Sequence, residues 1–135
     1  MLMNTAYRME EAMTNYNNTV YDNTTTEISL TDIASGDHLI IETRNSCYDF
    51  SVLDPVKGHG LLSGGALGKE AQWVYLVGSL DEEGGSSSTV DGACIKTNAR
   101  ALFYLENPFG LKSLILSKVA RILHTRSKNG DRLIG

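Results

Sequence analysis

Asp37-His38-Leu39-Ile40-Ile41-Glu42-Thr43 is followed by Arg44-Asn45-Ser46 and then by Cys47-Tyr48-Asp49-Phe50-Ser51-Val52-Leu53. In an extended chain successive side chains point to opposite faces, so Leu39 and Ile41 share one side. Tyr48, Phe50 and Val52 likewise share a side, opposite Asp49 and Ser51. Period-two alternation with β-branched and aromatic residues is the signature of half-buried strands. Two such runs around Arg44-Asn45 form a β-hairpin, with Asn45 expected to supply the positive φ of a tight turn.

Moving outward, Asp54-Pro55 ends the second strand because proline has no N–H for a ladder, and Lys57-Gly58 completes the turn. A third strand runs from Gly60 to Ser63 into Gly64-Gly65, a pair expected to bend or bulge a small sheet toward closure. A fourth spans Gln72 to Leu80. It is apolar on both sides, with Trp73, Tyr75 and Val77 facing away from Val74 and Leu76, and so is expected to be central and covered. The Asp81 to Gly92 segment, DEEGGSSSTVDG, reads as a flexible acidic loop. A fifth strand covers Ile95 to Glu106 with a break near Asn98, and Asn107-Pro108-Phe109-Gly110 is a turn. The last apolar segment is ambiguous. Leu111, Leu114, Ile115, Val119, Ile122 and Leu123 fit helical spacing, yet Lys112 and Lys118 intrude on that face. A strand is the better reading, since five short strands already require closure.

The expectation is therefore an all-β chain: a small antiparallel β-barrel or sandwich of five to seven short strands spanning residues 27–123. A polar, loosely ordered arm (1–26) precedes it and a basic tail (124–135) follows. At 135 residues, with 41% hydrophobic and 21% charged residues, the chain is long enough to bury a core without a metal or disulfide staple.

The segment Gly36 to Tyr48, Val52-Leu53-Asp54-Pro55, Gly64-Gly65 and Leu116-Ser117-Lys118-Val119-Ala120-Arg121-Ile122 together resemble a group of small bacterial β-barrel proteins. Members carry a Thr-Arg-Asn-Ser-x-Tyr hairpin, a Gly-Gly bend and a Ser-x-Val-x-x-Ile ending. The resemblance covers about 90 residues and implies a compact β-domain with a C-terminal strand. It carries no activity to transfer.

The formal charge of −4 argues against a generally basic nucleic-acid binder. It is unevenly distributed, however. Residues 1–111 hold fifteen acids and six bases, a balance of −9, whereas residues 112–135 hold one acid and six bases, a balance of +5. The candidate anion or partner contacts are Arg44, Lys118, Arg121, Arg126, Lys128 and Arg132, the last five in that basic end.

Catalytic and cofactor patterns are weak. Gly64-Gly65-Ala66-Leu67-Gly68-Lys69-Glu70 approaches a phosphate loop, but Ser63 stands where its first glycine belongs and Glu70 replaces the hydroxyl that holds magnesium. Cys47 and Ser46 lie near His38 in sequence space, yet the hairpin does not oppose His38 and Cys47, and Cys47 is expected to be a small buried hydrophobe. His38, His59, His124, Cys47 and Cys94 lack metal-ligand spacing. No cofactor and no catalytic residue is expected.

Neither a signal-peptide core nor an 18-residue apolar span is present, so a soluble cytoplasmic protein with reduced thiols is the expectation. The function read from the residues is a non-catalytic β-domain working through a protein partner or as a homo-oligomer. The alternative is a nucleic-acid-associated regulator that uses the basic C-terminal tail.

Overall fold

The computed structural model describes residues 22–81 and 89–127. Ten strands run in order: β1 (Asp22–Thr25), β2 (Glu27–Ser29), β3 (His38–Thr43), β4 (Cys47–Asp54), β5 (His59–Gly64), β6 (Gln72–Asp81), β7 (Thr89–Gly92), β8 (Cys94–Lys96), β9 (Arg100–Asn107) and β10 (Gly110–Thr125). Six of them, β3-β4-β5-β6-β9-β10, close into an antiparallel barrel. The all-β expectation holds, and the barrel is its form.

Closure depends on the length of β10. Its first half pairs with β9, from Gly110↔Asn107 to Lys118↔Arg100. Its second half pairs on the opposite edge with β3, from Val119↔Thr43 to Thr125↔His38. One strand thus joins both ends of the sheet. The buried residues of β10 are Leu116, Val119, Ile122 and His124. Register shifts between Ile115 and Lys118, and between Val119 and Arg121, each insert an extra residue. Bulges of this kind stretch the inward period from two to three. That stretching explains why the segment imitates helical spacing.

The barrel interior is filled by side chains, as expected at six strands. Phe50 and Phe103 meet edge to face at 5.2 Å in its centre. Leu39, Ile41, Val52, Leu62, Val74, Leu116 and Ile122 are fully buried around them. The β2–β8 ladder and the turn at Leu30–Asp32 add Ile28, Leu30, Ile33 and Ile95 to the same core.

Several expectations need correction. The turn after β3 does not use a positive φ at Asn45; among described non-glycine residues only Ala93 and Asn98 adopt one. Thr43 closes that turn instead, its Oγ1 accepting from the Ser46 N–H at 3.1 Å while its own N–H donates to the Ser46 carbonyl. The break near Asn98 is present, with φ 67° there. β6 is central, paired to β5, β7 and β9, but covered on one face only, leaving Trp73 43% exposed. A small barrel buries only its inside, so the second apolar face of β6 is outer wall.

The sheet also reaches into both flanking segments. Asp22–Thr25, placed in the arm, pairs with Thr125 to Ile122 of β10. His124 and Thr125, placed in the tail, complete that strand, and Thr89–Gly92, placed in the acidic loop, pairs with the end of β6. Residues 1–21, 82–88 and 128–135, which hold most of the arm, most of that loop and most of the tail, lie outside the described residues.

Candidate functional site

Each histidine of the barrel is engaged by its own carboxylate. His38 Nδ1 lies 2.8 Å from Asp49 Oδ1, His59 Nε2 lies 3.3 Å from Glu106 Oε1, and His124 Nε2 lies 2.8 Å from Asp37 Oδ2. No group of three potential metal ligands forms among the described residues. In the β3–β4 hairpin His38 stands opposite Ser51 and Cys47 opposite Glu42, so thiol and imidazole remain apart. Cys47 is exposed, contrary to the expected buried hydrophobe. It occupies the first position of β4, where the outward-facing half of the alternation meets solvent. Its thiol is pushed up, first by desolvation and then by Glu42 and Asp49, with Arg121 only partly opposing them. A raised thiol is a poor nucleophile at neutral pH. The Gly64-to-Glu70 segment forms a short turn closed by the Gly64 N–H on the Gly68 carbonyl, and a strand follows it.

The basic candidates divide into two groups. Arg44 is exposed at the tip of the β3–β4 hairpin and has no ion-pair partner among the described residues. The two carboxylates of the same hairpin are engaged elsewhere: Glu42 by Arg121 at 3.3 Å, and Asp49 by His38. Thr43 is in register with Val119, so Arg44 and the exposed Lys118 are the next residues past that last pair, and Arg121 is in register with Glu42. Arg44, Lys118 and Arg121 therefore gather where β3 ends. Arg126 is exposed just past the other end of the β3–β10 ladder, and Lys128 and Arg132 are outside the described residues. The tail begins at a fixed point, since the Ser127 N–H donates to Asp37 Oδ1 at 2.9 Å.

The same strand ending creates an open edge. From Gly110 to Lys118, β10 is paired only to β9, and β3 begins on the other side at Val119. Nine residues thus present one row of backbone groups with no strand partner among the described residues. Such a row, about 30 Å long, is a template for a further strand. Among the described residues, the outer edges of β1 and β7 are shorter and more polar: β1 reads DNTT and β7 reads TVDG.

Apolar residues flank this edge. Phe109 is 97% exposed and Leu111 59%, with Ile115 beyond them. Across β9 and β6 the outer wall continues through Tyr104, paired to Ser113 and Tyr75, and on to Trp73. His59 stacks on both Trp73 (4.8 Å) and Tyr75 (4.4 Å). Partial desolvation and then the nearby Glu106 carboxylate push the Tyr75 phenol up and keep it protonated.

No family model, curated protein or solved structure matches the chain. The site is therefore read from its own geometry. Sequence reasoning read a strand here without assigning Leu111 or Ile115 to a face, and it put Phe109 in a turn without marking its exposure. One signal pointed to the edge: the last strand is far longer than the first strand of the hairpin it must join.

Proposed function

We propose that this protein is a non-catalytic β-barrel module that binds a protein partner by accepting an extended segment along the open edge of β10. The observation that carries this reading is the nine-residue unpaired edge from Gly110 to Lys118, flanked by exposed Phe109, Leu111 and Ile115. Strand addition draws affinity from main-chain hydrogen bonds and selectivity from flanking side chains. The rest of the chemistry supports a binding role. The thiol nearest the surface is held protonated, and each histidine is engaged by a carboxylate rather than by a hydroxyl or thiol nucleophile. No helix among the described residues is long and apolar enough to cross a membrane.

The test is affinity capture with the full chain, a double edge variant (Leu111→Lys, Ile115→Lys) and a distant control, Val56→Ser. A partner retained by wild type and control but lost by the edge variant is the expected result. Identical partners on all three would refute a role for the edge. Salt-sensitive retention on RNA or DNA that disappears when residues 124–135 are removed would instead favour the nucleic-acid reading.

A further inference from the structure

We infer that the segment accepted by β10 is acidic and comes from a different protein, so that the edge is guarded against a second copy of this chain. The inference rests on the strand-addition reading above and assigns the partner's chemistry. Charge along the edge carries the argument. Lys112 and Lys118 both lie within the unpaired run, and Arg44 directly follows Thr43, whose partner Val119 marks the end of that run. All three are exposed and none has an ion-pair partner among the described residues. From Asn107 to Ala120 the chain contains no Asp or Glu. Two described carboxylates at the ends of the neighbouring strands are engaged: Glu42 with Arg121, and Glu106 with His59.

Two-fold pairing of this edge with itself would set antiparallel copies of the same segment side by side. Each copy would add Lys112, Lys118 and Arg44 to the seam and no acid to meet them. Like charges across a strand pair are unfavourable, and lysines on edges are a recognised device against self-association. An acidic segment turns the same three bases into attractive contacts. Alternation fixes where the acids belong. Leu114 and Leu116 lie on the core side of β10, so Lys112 shares their face at the mouth of the barrel, while Leu111 and Ile115 lie on the outer wall. A complementary segment therefore carries acids at both ends of a nine-residue stretch and apolar residues on its outward side between them. The edge selects by repulsion as well as attraction, the combination on which partner discrimination depends.

The experiment pans a display library of random nonamer peptides on the full-length protein, and on a Lys112→Glu/Lys118→Glu variant whose circular dichroism matches wild type. Wild type is expected to select net-acidic peptides, and the double variant to bind them at least about tenfold more weakly and to prefer basic ones. Selection of neutral or basic peptides by wild type would overturn the charge assignment, as would acidic binders indifferent to the two substitutions. Light scattering that shows a dimer abolished by Ile115→Lys would overturn it in favour of a second copy. A library that yields no binder, or binders whose amide-exchange footprint avoids residues 110–118, would overturn the strand-addition reading itself.

Discussion

Asp37 and His124, 87 residues apart in the chain, meet inside the protein with His124 Nε2 2.8 Å from Asp37 Oδ2. Both are almost completely buried. Asp37 Oδ2 also accepts from the Ala34 N–H, and Oδ1 accepts from the Ser127 N–H. One carboxylate thereby ties the start of β3 to the end of β10 and sets the point from which the basic tail departs.

Burial alone would push the Asp37 carboxyl up, but the Ala34 N–H, His124 and the Ser127 N–H together outweigh it and hold it below the ordinary range. A carboxyl lowered on folding stabilises the native state above its unfolded value near 3.9. That contribution disappears as pH falls through the lower folded value. Asp37→Asn is expected to cost about 3 kcal/mol at pH 7 in urea denaturation. It is also expected to flatten the stability loss between pH 5 and pH 2. Parallel acid-denaturation curves for the two proteins would show that Asp37 is not the group responsible.

Gly60 and Gly92 are both strand glycines with opposite tolerance. A Cβ at Gly60 would collide with the Ser51 carbonyl oxygen and sit 3.0 Å from the Phe50 ring, whereas at Gly92 the nearest atom is 4.0 Å away. Gly60→Ala is expected to destabilise by more than about 2 kcal/mol, because backbone on the neighbouring strand must move. Gly92→Ala should fall within about 0.5 kcal/mol of wild type. Thermal melts of the pair decide it, and equal melting temperatures would contradict the packing described.

Ser79 is fully buried on β6, where its Oγ donates to the Cys94 carbonyl and accepts from the Lys96 N–H. It is the polar stitch between the barrel wall and the β2–β8 ladder. Ser79→Ala leaves both backbone groups without that partner and is expected to cost about 2 kcal/mol. Hydrogen exchange at the Lys96 amide should accelerate well beyond the global change. Unchanged protection at Lys96 would remove Ser79 from this role.

Cys47 offers a chemical readout of its surroundings. With its thiol raised by desolvation and by Glu42 and Asp49, iodoacetamide labelling should reach half-maximal rate above the ordinary thiol value of about 8.5. Glu42→Gln removes one of the two carboxylates and frees Arg121, so the midpoint should move down and labelling at pH 8 should quicken. A wild-type midpoint below that of a free thiol would contradict the environment described.

Much of the barrel is legible in local sequence. The alternation from Leu39 to Val52, the stop at Asp54-Pro55 and the Gly64-Gly65 bend are properties of a few adjacent residues, and β3, β4 and β5 form where those properties place them. The last segment was ambiguous for a definite reason. Its two bulges are imposed by pairing with β9 and β3, and they alter the inward spacing that a sequence reader uses to tell strand from helix. Thr43 rather than Asn45 governs the first turn because a side-chain oxygen within reach of the Ser46 N–H removes the need for an unusual backbone angle.

The candidate site was legible only in its ingredients. Arg44 and Lys118 were visible as candidate bases, yet their common place at the end of one ladder depends on the register between Thr43 and Val119. The open edge depends on a difference between strand lengths, and the Asp37–His124 contact on closure of the ring. Local chain chemistry decided β3, β4 and β5, because alternation and turn propensity act over a few neighbours. Tertiary structure alone decided which face of β6 meets water and which backbone groups of β10 remain unpaired. Both follow from closing a sheet of unequal strands, which no single segment encodes.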